Sequence, residues 1–246
     1  MEVIFLGSGN AFYSENMDMS SLLIRLDDFD ILVDCGPGCL KNYLKYAGKL
    51  HKLKYIFLTH FHGDHTGGLP FLLLYLGHFH QDLPKPVIIG PRGAKNRIRK
   101  LCDACYQGSR LIKGLAFREI GKRHLEQRLF VGQNVEFRTY AMAHKKESLA
   151  YRITIGDISM AITGDTGWNS KIVEMSEGCE LLISECSTLT PETPGHLSVS
   201  EWLAKIDLLK AKLIVPVHRG KDVRGALEKE GRLPVKILQD GDKLVF

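Results

Sequence analysis

The feature that most constrains this chain is a run of metal-binding side chains directly after an apolar segment. Residues 55–68 read YIFLTHFHGDHTGG, which is a short apolar strand followed by a glycine-rich turn. The turn carries four candidate metal ligands, His60, His62, Asp64 and His65. Glycine allows the backbone to bring residues at such short spacing to one point. Imidazole and carboxylate groups together suit zinc, iron or manganese, so the segment predicts a metal site.

A polar residue follows an apolar strand-like segment at four other places. These residues are Asp34, His144, Asp165 and His218. In open α/β sheets, ligands bind outside the carboxyl ends of the strands, so residues distant in sequence meet at one edge. One ion usually takes three or four protein ligands. The number of donors therefore indicates two metal ions rather than one.

The composition is that of a globular chain. The 246 residues are 44% hydrophobic and 25% charged, and the net charge of +5 permits an anionic substrate without requiring one. The longest apolar run, 69–76, is interrupted by Pro70 and ends at Gly77, which is too short to span a bilayer. The first residues lack the basic and apolar regions of a signal peptide. We therefore expect a cytoplasmic protein without a membrane segment, whose six cysteines are reduced thiols.

Turn residues and hydrophobic periodicity predict alternating strands and helices in one domain, 1–246. The predicted strands are Glu2–Leu6, Ser21–Leu26, Asp30–Val33, Tyr55–Leu58, Pro86–Ile89, Val135–Ala141, Ala150–Ile155, Ser159–Ile162, Leu181–Ser184, Leu213–Val217 and a closing pair, Lys236–Leu238 with Lys243–Phe246. Helices are predicted at Leu40–Ala47, at Ala94–Tyr106 and after Ser198, which forms a capping box with Glu201. This alternation indicates an α/β architecture with helices covering the sheet faces.

The motifs resemble those of the metallo-β-lactamase superfamily from end to end. The matching pieces are LVDCGPG, THFHGDH, the histidine of AMAH, TGDTG and the histidine of PVHRG. The resemblance implies a four-layer αββα sandwich, with two mixed sheets and helices on the outer faces. It assigns the donors as follows: His60, His62 and His144 to one metal, Asp64, His65 and His218 to the other, and Asp165 to both. Asp34 is expected to orient the ligand loop by hydrogen bonding.

Two divalent ions can activate a shared water as a hydroxide for the hydrolysis of an ester, amide or phosphodiester. Zinc is the expected metal, with manganese and iron left open. Asp64, Asp165 and His196 are the expected catalytic residues. His196 lies before the capped helix, where it is a candidate donor of the proton that a leaving alkoxide needs. An ordinary histidine ahead of a helix cap is the alternative. Glu185 is expected either to support His196 by a hydrogen bond or to form a cap or salt bridge.

Three further segments narrow the resemblance. AHKKESLAYRI, which contains Ser148, is similar to the HxxxSxGY pattern of ribonuclease Z and its relatives, with Ala150 in place of the glycine. LGSGNAF and LLISECS also look like that branch, which includes cyclic phosphodiesterases of small molecules. The resemblance therefore implies a metal-dependent hydrolase, most closely a phosphodiesterase.

Ribonuclease Z carries an arm that grips tRNA between its third motif and the bridging aspartate. The corresponding segment between His144 and Asp165 is short and reads as strands. This favours a small cyclic or nucleotide-like phosphodiester over RNA, and Ser148, Lys145 and Arg219 are expected to contact the anionic substrate. A carboxyl-ester, lactone or thioester hydrolase and an iron-dependent oxidoreductase of the same fold stay open, as does a homodimer.

Two features are kept apart from the candidate site. His78 and His80 match no strand-end pattern and are interpreted as part of a mobile loop near the cleft. Cys102 and Cys105 form a single CxxC within an amphipathic helix, which indicates helix packing.

Overall fold

The computed structural model describes residues 1–50, 52–107, 110–231 and 234–246. They form two compact units, the first from Met1–Ile120 and Gln239–Phe246, the second from Gly121–Leu238. Each unit contains one mixed β-sheet together with helices. The predicted α/β class with two mixed sheets is therefore confirmed. A single domain over 1–246 stays a prediction.

Thirteen strands lie in the described residues. They are β1 (Glu2–Gly7), β2 (Ser21–Arg25), β3 (Asp30–Val33), β4 (Leu53–Phe57), β5 (Val87–Pro91), β6 (Ala116–Ile120), β7 (Leu129–Val131), β8 (Val135–Ala141), β9 (Leu149–Ile155), β10 (Ile158–Ile162), β11 (Leu181–Glu185), β12 (Leu213–Val217) and β13 (Lys243–Val245). The first unit has the sheet order β13-β1-β2-β3-β4-β5-β6, in which β3 to β6 run parallel. The second has the order β12-β11-β10-β9-β8-β7, in which β10, β11 and β12 run parallel.

Seven α-helices connect these strands in the described part of the chain. They are α1 (Cys39–Asn42), α2 (Gly63–Thr66), α3 (Leu69–Phe79), α4 (Ala94–Cys105), α5 (Lys171–Ser176), α6 (Val199–Lys205) and α7 (Val223–Glu230). A π-helical segment, Tyr43–Ala47, continues α1. None of the helices in the described residues is long and apolar enough to cross a membrane. All six cysteines are free thiols, as expected.

Each unit has its own hydrophobic core against its sheet. In the first unit, Ile56 of β4 and Ile88 of β5 belong to a buried cluster with Leu69 and Leu72 of α3. In the second, fully buried Trp202 of α6 belongs to a cluster with residues of β10, β11 and β12. Burying one leucine or isoleucine side chain stabilises the fold by about 1.5–3 kcal/mol. The cores thus fix the strands whose carboxyl ends carry the candidate ligands.

Helix α3 was not predicted, because Pro70 was interpreted as a break in the apolar run. Pro70 stands in the first turn of α3, where backbone N–H groups have no partner within the helix and proline is tolerated. The helix extends to Phe79, so His78 is helical and the predicted loop is wrong at that position.

The predicted closing pair is also wrong. Strand β13 pairs with β1, where Glu2 faces Val245. The backbone N of Lys236 donates instead to the carbonyl of Ile214 at the edge of the second sheet. The capping box before α6 is confirmed, since Ser198 Oγ accepts from the backbone N of Glu201 at 3.2 Å.

Asp240 ties the C-terminal stretch of the first unit to the loop after β1. Its Oδ1 accepts hydrogen bonds from the backbone N and the Oγ of Ser8, both at 2.9 Å, and its Oδ2 accepts from the backbone N of Asp18. Alanine would leave these donors without their acceptor, so we expect Asp240→Ala to lower the free energy of unfolding by about 2 kcal/mol or more. Urea denaturation measures this. Asp28→Ala, at an exposed turn position, should change it by less than about 0.5 kcal/mol; equal effects would contradict the role given to Asp240.

Candidate metal centre

The first unit gathers four candidate ligands after the carboxyl end of β4. The fully buried His60 lies three residues beyond the strand, His62 precedes α2, and Asp64 and His65 lie within α2. The ring centroids of His60 and His62 are 4.7 Å apart, and those of His60 and His65 are 4.2 Å apart. The HxHxDH sequence therefore converges within this unit.

Asp34 holds this ligand loop through three hydrogen bonds. Its Oδ1 accepts from the backbone N of Thr59 at 2.8 Å, and its Oδ2 accepts from Thr59 Oγ1 and contacts His65 Nδ1, both at 2.7 Å. Asp34 has a φ of +58°, which is uncommon for a residue other than glycine. Backbone strain of this kind persists where surrounding contacts impose it, and it is typical of functional sites. The contacts are those expected of a residue that orients the loop.

The second unit supplies three further candidates, each after the end of a strand. His144 follows β8, Asp165 follows β10 and His218 follows β12. Asp165 Oδ2 lies 3.5 Å from His218 Nε2 and 3.9 Å from His144 Nε2. His218, like Asp34, has a positive φ, at +56°. The carboxylate of Asp165 thus stands within reach of both histidines.

Four of the candidate histidines share one pattern, because each uses Nδ1 in a hydrogen bond. The partners are Thr59 Oγ1 for His60 (3.0 Å), Asp34 Oδ2 for His65 (2.7 Å), the Gly195 carbonyl for His144 (3.0 Å) and Ser187 Oγ for His218 (2.7 Å). Metal-ligating histidines usually bond one ring nitrogen to a protein group and bind the metal with the other. The pattern therefore indicates that Nε2 of each ring is the nitrogen that would bind a metal.

Glycine is required at position 195 for the contact between the Gly195 carbonyl and His144 Nδ1. Gly195 has a φ of +83°, and a Cβ built there would lie 3.0 Å from His144 Nδ1. A side chain would therefore both strain the backbone and press against the ring that the Gly195 carbonyl orients.

Glu185 and His196 form a second cluster with Asp165 and His218. His196 Nδ1 is hydrogen-bonded to Glu185 Oε1, and the stacked His196 and His218 rings have centroids 5.6 Å apart. Potential ligand atoms of all four residues lie within 4.8 Å of one another. Glu185 is fully buried, and its other oxygen accepts from the backbone N of Thr166. Burial raises the pKa of the Glu185 carboxyl well above its usual range, and the neighbouring Asp165 carboxylate raises it further.

The chemistry of this donor set fits divalent metal ions. Two atoms that each lie about 2.1 Å from one ion are at most about 4.2 Å apart. The pairs His65 Nε2–Asp64 Oδ2, at 3.5 Å, and His218 Nε2–Asp165 Oδ2, at 3.5 Å, meet that limit. Buried imidazole and carboxylate groups of this kind are those that zinc, manganese and iron share.

The three predicted substrate contacts lie in different surroundings. Lys145 is exposed beside His144. Ser148 is buried, and its Oγ accepts from the backbone N of Lys145 at 3.1 Å, which fixes the turn after His144. Arg219 is fully buried, and its guanidinium donates to the carbonyls of Pro216 and Leu238. This burial argues against the predicted substrate contact of Arg219 and gives it a role in holding the chain after β12.

Apart from Asp34, sequence reasoning missed the residues that orient the candidate ligands and Glu185. Thr59, Ser187 and Gly195 each contact a candidate histidine, and Thr166 contacts Glu185. Only Thr59 carried a local signal, because it directly precedes His60 in the motif. The others reach their partners through the fold, over sequence separations that no short motif records.

Two solved structures share the fold of the chain. The metallo-beta-lactamase fold protein YhfI from Bacillus subtilis superposes with a TM-score of 0.82 at 22% identity, covering 99% of each chain. A diphosphatase from the PhnP family superposes with a TM-score of 0.77 at 17% identity, covering 100% of this chain and 97% of the other. The chain therefore has the metallo-β-lactamase fold, as its motifs predict.

Sequence comparison places the chain more narrowly. Ribonuclease Z of Staphylococcus carnosus (strain TM300) is 33% identical over 175 residues, which cover 68% of this chain and 55% of that protein. The chain spans about half the length of the curated relatives it matches. The family model described as anti-Pycsar protein Apyc1 matches residues 1–236. The chain belongs to this family, in the ribonuclease Z-like branch of the metallo-β-lactamase superfamily.

Proposed function

We propose that the protein is a two-metal phosphodiesterase that hydrolyses small cyclic or nucleotide-like phosphodiesters. The observation that carries the proposal is the shared hydrogen bonding of four candidate histidines through Nδ1, so that Nε2 of each ring is the nitrogen that would bind a metal. Similarity to ribonuclease Z, whose name describes a nuclease, supports phosphodiester hydrolysis.

The proposed ligand set contains seven residues. His60, His62 and His144 would hold one ion, Asp64, His65 and His218 would hold the other, and Asp165 would contact both. Zinc is the proposed metal because histidine nitrogen and carboxylate oxygen are its usual donors when cysteine is absent from a site. When bound, two such cations lower the pKa of a shared water and neutralise charge that develops on a phosphoryl group.

The chain's own residues supply the remaining steps. Departure of an alkoxide requires a proton, and we assign its donation to Nε2 of His196. The hydrogen bond from Nδ1 to the buried Glu185 fixes the ring in one orientation. The Thr166 backbone N in turn holds Glu185. Asp34 and Thr59 keep the HxHxDH loop in place while substrate binds and product leaves.

A small substrate is favoured by the segment between His144 and Asp165. Strands β9 and β10 occupy it, joined by a two-residue turn and paired antiparallel from Ile155↔Ile158 onwards. An arm of the ribonuclease Z kind has no place in that segment. The exposed Lys145 provides a positive charge beside His144 for an anionic substrate. The structural likeness to a diphosphatase agrees with a small phosphorylated substrate.

Turnover of defined substrates tests the proposal. Protein loaded with zinc or manganese is assayed with 2′,3′-cyclic nucleotides, a 1,2-cyclic phosphate, bis(p-nitrophenyl) phosphate and a 3′-extended precursor tRNA. We expect hydrolysis of a cyclic substrate with a turnover number of about 1 s⁻¹ or more, the usual range for enzymes. Chelation should abolish activity, and return of the metal should restore it.

Other substrates separate the competing activities. A lactone and a thioester are assayed in parallel, and an optical spectrum with metal analysis detects an iron centre. Brisk lactone or thioester hydrolysis without phosphodiester turnover would reject the proposal, as would an iron chromophore with oxidase activity. Cleavage of the precursor tRNA faster than every small substrate would retain the metal chemistry but overturn the proposed substrate class.

A further inference from the structure

The first unit contains a cavity of about 490 Å³ that the proposed chemistry does not use. Its walls come from the C-terminal half of α3, from Leu50 and Leu53, from the segment 80–86 and from 110–115. All of these residues belong to the first unit. The volume lies within the range of about 300–1,000 Å³ that small-molecule sites occupy.

The cavity lies at the opposite end of the strands from the candidate ligands. Leu53 begins β4, Pro86 precedes β5 and Leu115 precedes β6, so the cavity adjoins the amino ends of these parallel strands. The candidate ligand His60 follows the carboxyl end of β4, and Asp34, which holds the ligand loop, follows that of β3. A five-residue strand such as β4 spans roughly 16 Å. The cavity is therefore a separate site.

Its lining combines apolar walls with positive charge. Eight of the sixteen lining residues are leucine, and none of those described is acidic. Lys85 and Arg110 supply cationic groups, and Lys85 Nζ is held between two cavity segments by a hydrogen bond to the Lys113 carbonyl at 2.6 Å. Apolar walls with a few convergent polar groups are typical of ligand sites. The charge selects for an anionic group on the ligand.

His80 provides an independent sign of a ligand. It lines the cavity, and its Nε2 is buried without a hydrogen-bond partner among the described residues. The backbone of His80 is fixed, because its N donates to the Leu76 carbonyl and its carbonyl accepts from the Leu83 N. Leaving a buried polar atom unsatisfied costs free energy, so native structures seldom do so without a reason. A ligand oxygen at this position would satisfy it.

We propose that this cavity binds a small amphiphile with an unbranched apolar body and one carboxylate, of the size of a medium-chain fatty acid. The leucine side chains that line the cavity pack against the alkyl chain of the ligand. The carboxylate of the ligand is bound by Lys85, Arg110 and His80 Nε2. The site is independent of the metals, so the proposal stands apart from the proposed phosphodiesterase activity.

Calorimetric titration of the full chain with decanoate tests the proposal. Decyltrimethylammonium, which has the same chain and the opposite head-group charge, is the matched ligand. We expect one decanoate per chain, bound at least about tenfold more tightly than the cation. Equal binding of the two ligands, or binding at many sites per chain, would overturn the carboxylate site.

Gly77→Phe tests the location of the site. Gly77 lines the cavity on the same face of α3 as Leu73 and Leu74, and a Cβ added there meets nothing within 4 Å. Phenylalanine also suits a helix better than glycine, so folding should not suffer. We expect decanoate to bind at least about tenfold more weakly. Gly225→Phe, at an exposed position of α7 that also has open space, is the control and should bind like the unaltered chain.

Two further variants test the head-group contacts. Lys85→Gln with Arg110→Gln should remove most of the preference for decanoate over the cation, whereas Lys221→Gln with Lys229→Gln, exposed in the second unit, should keep it. His80→Phe keeps an aromatic side chain but removes the ring nitrogens, and should weaken the binding of decanoate by about three- to tenfold. Unchanged decanoate binding in Gly77→Phe would overturn the proposal. So would a dimer that Gly77→Phe dissociates, since a second copy would then be the occupant.

Discussion

Replacing Asp165 with alanine should cost the protein a metal ion and nearly all of its activity. In the proposed ligand set Asp165 serves both ions, and its Oδ2 lies 3.5 and 3.9 Å from the Nε2 atoms of His218 and His144. Loss of a residue that merely orients a ligand already costs about 10–100-fold in metal affinity or activity. We therefore expect phosphodiester turnover to fall by more than about 100-fold, with fewer than two metal ions per chain by elemental analysis.

Thermal unfolding gives a second readout for the same variant. A metal that binds only the folded state stabilises it by mass action, so chelation should lower the Tm of the unaltered protein. In Asp165→Ala the chelator should produce a much smaller shift. Asp157→Asn, in the exposed turn between β9 and β10, is the matched control and should keep both metals and full turnover. Two tightly bound ions and normal turnover in Asp165→Ala would contradict the assigned bridging role.

The strands and the candidate ligands were predictable because both leave local signals. An apolar run ended by a polar residue marks the carboxyl end of a buried strand, and β3, β4, β10 and β12 all show it. Parallel neighbours then bring such ends to the same sheet edge. That reasoning needs no knowledge of long-range contacts, which is why it succeeded for the strands that carry Asp34, Asp165 and His218.

The errors in the predicted secondary structure arose where the local sequence is compatible with two structures. Pro70 can end a helix or begin one, and the apolar run around it gave no period to decide between them. Lys236–Leu238 has the composition of a strand, yet the edge that β13 joins is chosen by β1 at the other end of the chain. Pairing of chain termini is a contact of high sequence separation, and composition does not encode it.

Arg219 shows that a position next to a metal-ligand candidate in the sequence does not by itself predict a substrate contact. It follows His218 directly, so a substrate contact was a reasonable expectation. The backbone at His218 has a positive φ, which is uncommon for a residue other than glycine. Arg219 is buried, where its guanidinium bonds to the carbonyls of Pro216 and Leu238. A charge beside a ligand in sequence therefore need not face the ligand's site.

The second large effect is expected at His196. If its Nε2 protonates the leaving alkoxide, His196→Ala should lower turnover of a cyclic phosphodiester by about 10²- to 10⁴-fold, the usual contribution of a general acid. Metal content should stay at two, because His196 lies outside the proposed ligand set. Turnover of bis(p-nitrophenyl) phosphate should fall far less, since p-nitrophenolate leaves without a proton. The comparison of the two substrates distinguishes proton donation from substrate binding, which would affect both.

Glu185→Gln completes this test, because the proposed role of Glu185 is to hold His196 through Nδ1. The amide keeps the size of the side chain but replaces one carboxylate oxygen with a donor, so it weakens the hold on His196 Nδ1 or on the Thr166 backbone N. We expect a smaller loss of turnover than in His196→Ala, again confined to substrates with alkoxide leaving groups. The double variant, Glu185→Gln with His196→Ala, should lose little more turnover than His196→Ala alone. His124→Ala, outside the donor set, should leave all rates unchanged. Equal losses on both substrates would make His196 a substrate contact instead of the proton donor, and loss of metal from His196→Ala would place it among the ligands.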